Sequence, residues 1–135
     1  MTLAPRPDLG FPGYWISSPL PGGVAMFHIV GGDAALEKDG SMATGSGVID
    51  HVSLSCQGYY QIRDLLDHHQ LPYRENLIAS IGLWQIFVYD PSGVLLELTF
   101  SQDGEKAAPP QFEKVQQYRP GEGFFNPDLY SQFGR

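Results

Sequence analysis

Polar and apolar positions alternate with a period of two in several short runs of this chain, and with a helical period in one. Gly13-Tyr14-Trp15-Ile16-Ser17 and Val24 to Val30 read as the two strands of a hairpin, with Ser18-Pro19-Leu20-Pro21-Gly22-Gly23 as its turn. The proline-rich start, residues 1 to 13, allows at most a short edge strand around Met1 to Leu3. Val48 to Cys56 is the next predicted strand. Tyr59 to Gln70 is predicted helical, because Tyr59, Ile62, Leu65, Leu66 and His69 share one face, and Pro72 stops it. Tyr73–Ala79, Leu83–Tyr89 and Leu95–Phe100 then predict a three-stranded meander, the last two joined by an Asp90-Pro91-Ser92-Gly93 turn.

These elements predict an α+β fold in one domain spanning residues 1–135. Within it, 1–30 holds a hairpin, 31–47 is a Gly-, Ser- and Asp-containing linker, 48–100 is a complete strand–helix–meander unit, and 101–135 is a tail. There is a faint repeat: Gly23-Val24-Ala25-Met26-Phe27-His28-Ile29 echoes Gly93-Val94-Leu95-Leu96-Glu97-Leu98. The tail's Phe112, Tyr118, Phe124, Phe125, Tyr130 and Phe133 are too apolar to float in water, so it should pack on something.

Glu97 is the residue that most needs an explanation. A lone carboxylate in an apolar strand is costly unless it is paired or coordinates a cation, and no basic residue stands beside it in sequence. His51, on the first strand of the same unit, is the natural companion. If His51 faces a cavity, alternation puts Ser53 and Ser55 on its face, with Gln85 and Phe87 facing it from the adjacent strand if the Asp90 turn sets the usual register. Trp84 and Cys56 read as core. His68 and His69, at the end of the helix, suit its dipole at the surface.

Composition narrows the field. At 135 residues, 42% hydrophobic and 13% aromatic, the chain can bury a proper core. A net charge of −7 argues against nucleic acid or an anionic membrane as partner. The single Cys56 precludes an internal disulfide, no apolar run suits a membrane span, and the start lacks a signal pattern, so a cytoplasmic location is expected. Phosphate-binding glycine loops, a Ser-His-Asp order and paired zinc-type cysteines are missing.

The segment 49–100 resembles the second βαβββ module of the vicinal oxygen chelate superfamily, which includes glyoxalase I, fosfomycin- and bleomycin-resistance proteins and extradiol dioxygenases. Asp50-His51-Val52, Leu71-Pro72-Tyr73 and the run Phe87 to Leu98 with its Asp-Pro-Ser-Gly turn carry the likeness. Residues 6–16 with Phe27-His28-Ile29 resemble the back half of a first module. The resemblance implies one complete and one partial module, the latter truncated at its N-terminus. Either the gene product begins upstream of Met1, or another subunit completes the barrel. An exposed strand edge then implies a homodimer.

The resemblance also implies a ligand set. His28, His51 and Glu97 would hold a divalent metal (Fe2+, Mn2+ or Zn2+) with open positions for two neighbouring oxygens of a small substrate. It implies a metal-dependent enzyme of the glyoxalase or extradiol-dioxygenase type acting on an oxygenated, catechol-like molecule, with Tyr89 or Tyr14 as acid/base candidates. The alternative is a metal-free small-molecule binding protein of the bleomycin-resistance type.

Overall fold

The computed structural model describes residues 2–17, 25–36, 38–41, 45 and 49–133, the side chains of 25, 26, 35 and 131–133 excepted. The predicted turn Ser18–Gly23, the predicted strand positions Val24 and Val48, and the Phe133 side chain lie outside the described residues. The chain is mixed α+β, with two sheets and few helices, and divides into Met1–Ala43 and Thr44–Arg135. That boundary falls inside the segment expected to be a linker.

The first unit is an antiparallel sheet of β1 (Thr2–Ala4), β2 (Gly13–Ser17) and β3 (Ala25–Val30), with β2 central. Arg6 organises the connection between β1 and β2. Its guanidinium donates to the Phe11 carbonyl at 2.9 Å and lies over the Phe11 ring at 4.9 Å. Leu3, Ile16 and Phe27 are cross-strand neighbours on one face, as are Ala4, Trp15 and His28 on the other. A short 3-10 helix, Gly32–Ala35, occupies part of the expected linker.

In the second unit β4 (Val52–Cys56) leads into α1 (Tyr59–His68), followed by β5 (Tyr73–Ile78), β6 (Leu83–Tyr89) and β7 (Leu95–Ser101). The sheet order is β4-β7-β6-β5, with β4 parallel to β7 and the other pairs antiparallel. Strand β4 therefore inserts beside the last strand, and the expected neighbour β6, which carries Gln85 and Phe87, is one strand further away because β7 lies between them. The expected strand 48–56 begins only at Val52, whose partner Leu96 opens the ladder, so His51 precedes the strand. Helix α1 stops at His68, two residues before the expected end, and Gln70 follows in a left-handed conformation.

Two devices outside the hydrophobic pattern position α1. Gly58 sits at its N-cap with φ +87, a conformation that disfavours other residues. The carboxylate of Glu105, in the short helix α2 (Gln102–Glu105), accepts from the Gly58 and Tyr59 amides at 2.8 Å each. The inward face differs from expectation at one position. At roughly 100° per residue, Leu65 is turned well away from Tyr59 and Leu66, and it is exposed. Tyr60 packs against the core instead.

The core lies between α1 and one face of the sheet, where Tyr59, Leu66, Tyr73, Trp84, Ile86, Val88 and Phe100 meet. Tyr59 meets Trp84 and Phe100 edge-on, at 5.5 and 5.2 Å between centroids. Cys56 packs against this cluster, as expected of a small apolar side chain. Glu75 is also there, fully buried, accepting from the Tyr59 hydroxyl and 3.6 Å from the Arg63 guanidinium. Its other oxygen, like the Trp84 indole nitrogen, has no hydrogen-bond partner among the described residues.

Tyr73 donates to Asp67 at 2.9 Å. Burial, then the Asp67 carboxylate, pushes its phenol up to about 12 from 10. A raised acid in the folded state favours the neutral form. Its contribution is therefore complete below pH 10 and lost as pH rises through about 12. Urea unfolding at a series of alkaline pH values should show a shallower stability loss across that window in Tyr73→Phe. Equal slopes for wild type and variant would contradict this.

The tail packs, as its aromatic content predicts. The Gln117 segment pairs in parallel with β5 at Glu75, and the Tyr118 amide donates to the Glu75 carbonyl at 2.9 Å. Phe124 and Phe125 meet Tyr89, and the Tyr130 hydroxyl donates to the Tyr89 carbonyl at 2.6 Å. Among the described residues no helix is long and apolar enough to cross a membrane.

Candidate functional site

The sheet face opposite α1 carries two polar rows. Register aligns Arg74, Phe87, Glu97 and Ser53 across the four strands, and beside them Asn76, Gln85, Thr99 and Ser55. Cross-strand neighbours stand close enough for side chains to meet, and here they build one hydrogen-bond network. Glu97 is its centre, and it is buried. Its Oε1 accepts from Gln85 Nε2 at 2.6 Å, Thr99 Oγ1 at 2.8 Å and Ser53 Oγ at 3.1 Å. Gln85 is itself oriented, because its Oε1 accepts from Asn76 at 2.7 Å.

The second carboxylate oxygen of Glu97 faces His51. Nε2 and Oε2 are 2.7 Å apart, and His51 Nδ1 is 2.7 Å from Asp50 Oδ2 on the other side. A ring bracketed by two carboxylates has its orientation fixed at both nitrogens. The Tyr118 hydroxyl donates to the same Asp50 oxygen at 3.2 Å, and its ring stacks on Phe87 at 3.6 Å. Phe87 in turn meets the edge of His51 at 5.7 Å.

The electrostatics follow from these partners. Burial pushes the Glu97 carboxyl up, but the Thr99, Gln85 and Ser53 hydrogen bonds and the His51 ring outweigh it, leaving it below the usual range. The hydrogen bond from His51 holds Asp50 low as well. Burial raises the Tyr118 phenol, and the Asp50 carboxylate adds to that. At neutral pH both carboxylates are anionic and the phenol is protonated.

The structure brings together His51, Glu97, Ser53 and Gln85, with Phe87 as an aromatic wall. Glu97, which has no basic residue beside it in sequence, does have a partner in space: His51 Nε2 lies 2.7 Å from its Oε2. Ser55 is on the same face, opposite Thr99, but it is exposed. The Tyr89 ring packs on Phe124 and Phe125 of the tail. His28 and Tyr14 belong to the first unit, where His28 stacks on Trp15 at 4.4 Å and Tyr14 is exposed. Among the described residues no three His, Cys, Asp or Glu side chains form a group that could hold a metal ion.

Asp50, Thr99, Asn76 and Tyr118 are network members that sequence reasoning left out of the site. Thr99 carried a signal, two residues after Glu97 on the same face. Asn76 requires the β5–β6 register, and Tyr118 requires the path of the tail. Comparison with protein-family models, with curated proteins and with solved structures finds no match to this chain.

Proposed function

We propose that the second unit is a vicinal-oxygen-chelate-type βαβββ module and that His51 and Glu97 supply two ligands to a divalent cation, Fe2+, Mn2+ or Zn2+. The observation that carries this reading is the way both groups are oriented. Glu97 Oε1 is saturated by three donors, leaving Oε2 aimed at His51 Nε2. Asp50 holds His51 by its other nitrogen, the carboxylate–histidine arrangement that aligns metal-binding imidazoles. The third ligand expected from the sequence, His28, belongs to the first unit, and the proposal rests on the second unit alone. A bound cation there would supply Lewis acidity toward two neighbouring oxygens of a small substrate. Phe87 and Tyr118 would give an aromatic wall, Ser53 and Gln85 would hold Glu97, and Tyr89 would serve as acid or base. A catechol-like substrate suits that lining.

One observation favours a second reading, metal-free binding of a small molecule. His51 and Glu97 are already in direct contact at 2.7 Å, so the pair is satisfied without a cation. Calorimetric titration of metal-stripped protein with Mn2+, Zn2+ and, anaerobically, Fe2+ separates the two. The metal reading expects saturable binding that His51→Ala and Glu97→Gln abolish. Asp50→Asn should cost about 10–100-fold in affinity, the usual penalty for losing a partner behind a ligand. Binding should weaken on acidification, because ligation needs a neutral imidazole and an ionised carboxylate. Equal binding by wild type and the ligand variants, or no binding by any of them, leaves the metal-free reading.

A further inference from the structure

We infer that a cleft between β5 and the tail, framed by Arg74, Lys114 and Arg119, is a binding site for the phosphate or carboxylate group of a small anion. The cleft holds about 360 Å³ and is completed by Val115, Gln117 and Glu122. Pockets of this size accept small molecules.

Charge is the first argument. The chain has 8 Lys and Arg against 15 Asp and Glu, yet Arg74, Lys114 and Arg119 converge on this one cleft. Like charges drawn together on an acidic protein repel one another unless an anion lies between them.

The second argument is how little of that charge is neutralised from within. Arg119 reaches Glu122 at 3.5 Å, a pair exposed on both sides, so it contributes little. Arg74 has no carboxylate partner among the described residues. One of its nitrogens donates to the Tyr73 carbonyl at 3.0 Å, and its guanidinium lies over the Phe124 ring at 4.7 Å. Those contacts fix the plane of the fork and leave the remaining donors for a two-point contact with an oxyanion. Lys114 likewise has no carboxylate partner among the described residues, and it adds a mobile point charge. Val115, largely exposed in the cleft wall, offers an apolar surface to the body of the ligand.

This site is separate from the His51–Glu97 pair. Phe87 lies between Arg74 and Glu97 in the cross-strand row, and Tyr118 covers it. The proposal therefore stands whether or not the second unit binds a cation.

The test is a titration of metal-stripped, isotope-labelled full-length protein, followed by amide and Arg side-chain NMR shifts at constant ionic strength. Inorganic phosphate and benzoate are the two probes, with chloride as reference. Saturable shifts confined to residues 114–122 and Arg74 are expected with at least one probe. Saturation by both shows a general oxyanion site, and saturation by one identifies the preferred group. Arg74→Gln and Lys114→Gln should each weaken binding about tenfold. Glu122→Gln, which removes the competing carboxylate, should strengthen it. Lys38→Gln, outside the cleft, should leave it unchanged. Shifts that never saturate, spread over the surface, or respond alike to Arg74→Gln and Lys38→Gln would overturn the assignment.

Discussion

Glu97→Leu is expected to lower the unfolding free energy by about 2–4 kcal/mol at neutral pH and, under the proposed metal reading, to remove divalent-cation binding. The estimate rests on what the carboxylate satisfies. Gln85 is buried and donates its amide to Oε1, and Thr99 and Ser53 add two hydroxyls. An apolar replacement strands the Gln85 donor at a cost of about 1–3 kcal/mol, while the two hydroxyls turn to water more cheaply. It also removes the buried carboxylate that faces His51. Glu97→Gln keeps the volume and one acceptor, so its loss should be about 1 kcal/mol while cation binding still disappears. The pH dependence has a definite sign. The Glu97 carboxyl is depressed in the folded state relative to its ordinary 4.5. Its contribution is present above about pH 4.5 and is lost as pH falls through the lower folded value. Urea unfolding midpoints of wild type and Glu97→Leu should thus converge on acidification below that point. A difference that stays constant across that range, or matching midpoints at pH 7, would show that the network contributes nothing.

The elements were legible where alternation ran cleanly. Tyr14 to Ile16, Trp84 to Val88 and Leu96 to Phe100 are strands whose side chains sort to opposite faces, and Tyr59 and Pro72 bracket the helix well. The start of β4 was misplaced because Ile49, Asp50 and His51 continue the strand-like pattern, while the ladder begins only where Val52 meets Leu96. Sequence pattern does not encode which strand lies beside β4, nor that Glu105, nearly fifty residues downstream, would cap α1. The site was legible at Glu97 and His51 because a polar group among apolar neighbours must be satisfied somewhere. Ser53 and Gln85 followed from period two. Asn76 and Tyr118 did not, since their contacts depend on register and on the course of the tail. Glu75 shows the limit of the same logic. It sits among polar neighbours, Arg74 and Asn76, and only the docking of α1 over β5 turns its strand face into core.

That docking makes Tyr59→Phe the substitution with the largest expected effect on stability, a loss of about 3–5 kcal/mol, the range for breaking a buried charged contact by removing one partner. Both Tyr59 and Glu75 are fully buried, and the Tyr59 hydroxyl is the hydrogen-bond donor to Glu75 Oε1. Among the described residues Glu75 Oε2 has no partner to share the burden. Once the hydroxyl is gone, the carboxylate keeps only the Arg63 guanidinium, 3.6 Å away and 29% exposed. Neither the distance nor the exposure allows that pair to replace a buried hydrogen bond. The phenol is pushed above its ordinary value, by burial first and then by Glu75, so it is protonated and able to donate at neutral pH. The loss belongs to the stranded carboxylate and not to the missing oxygen. Removing both polar groups, as Tyr59→Phe with Glu75→Leu, should then recover more than half of the stability, because an apolar pair of similar volume needs no partners. The double-mutant cycle is read from urea unfolding midpoints at neutral pH. Additive losses in the double variant, or a Tyr59→Phe midpoint within about 1 kcal/mol of wild type, would show that Glu75 is satisfied by other means.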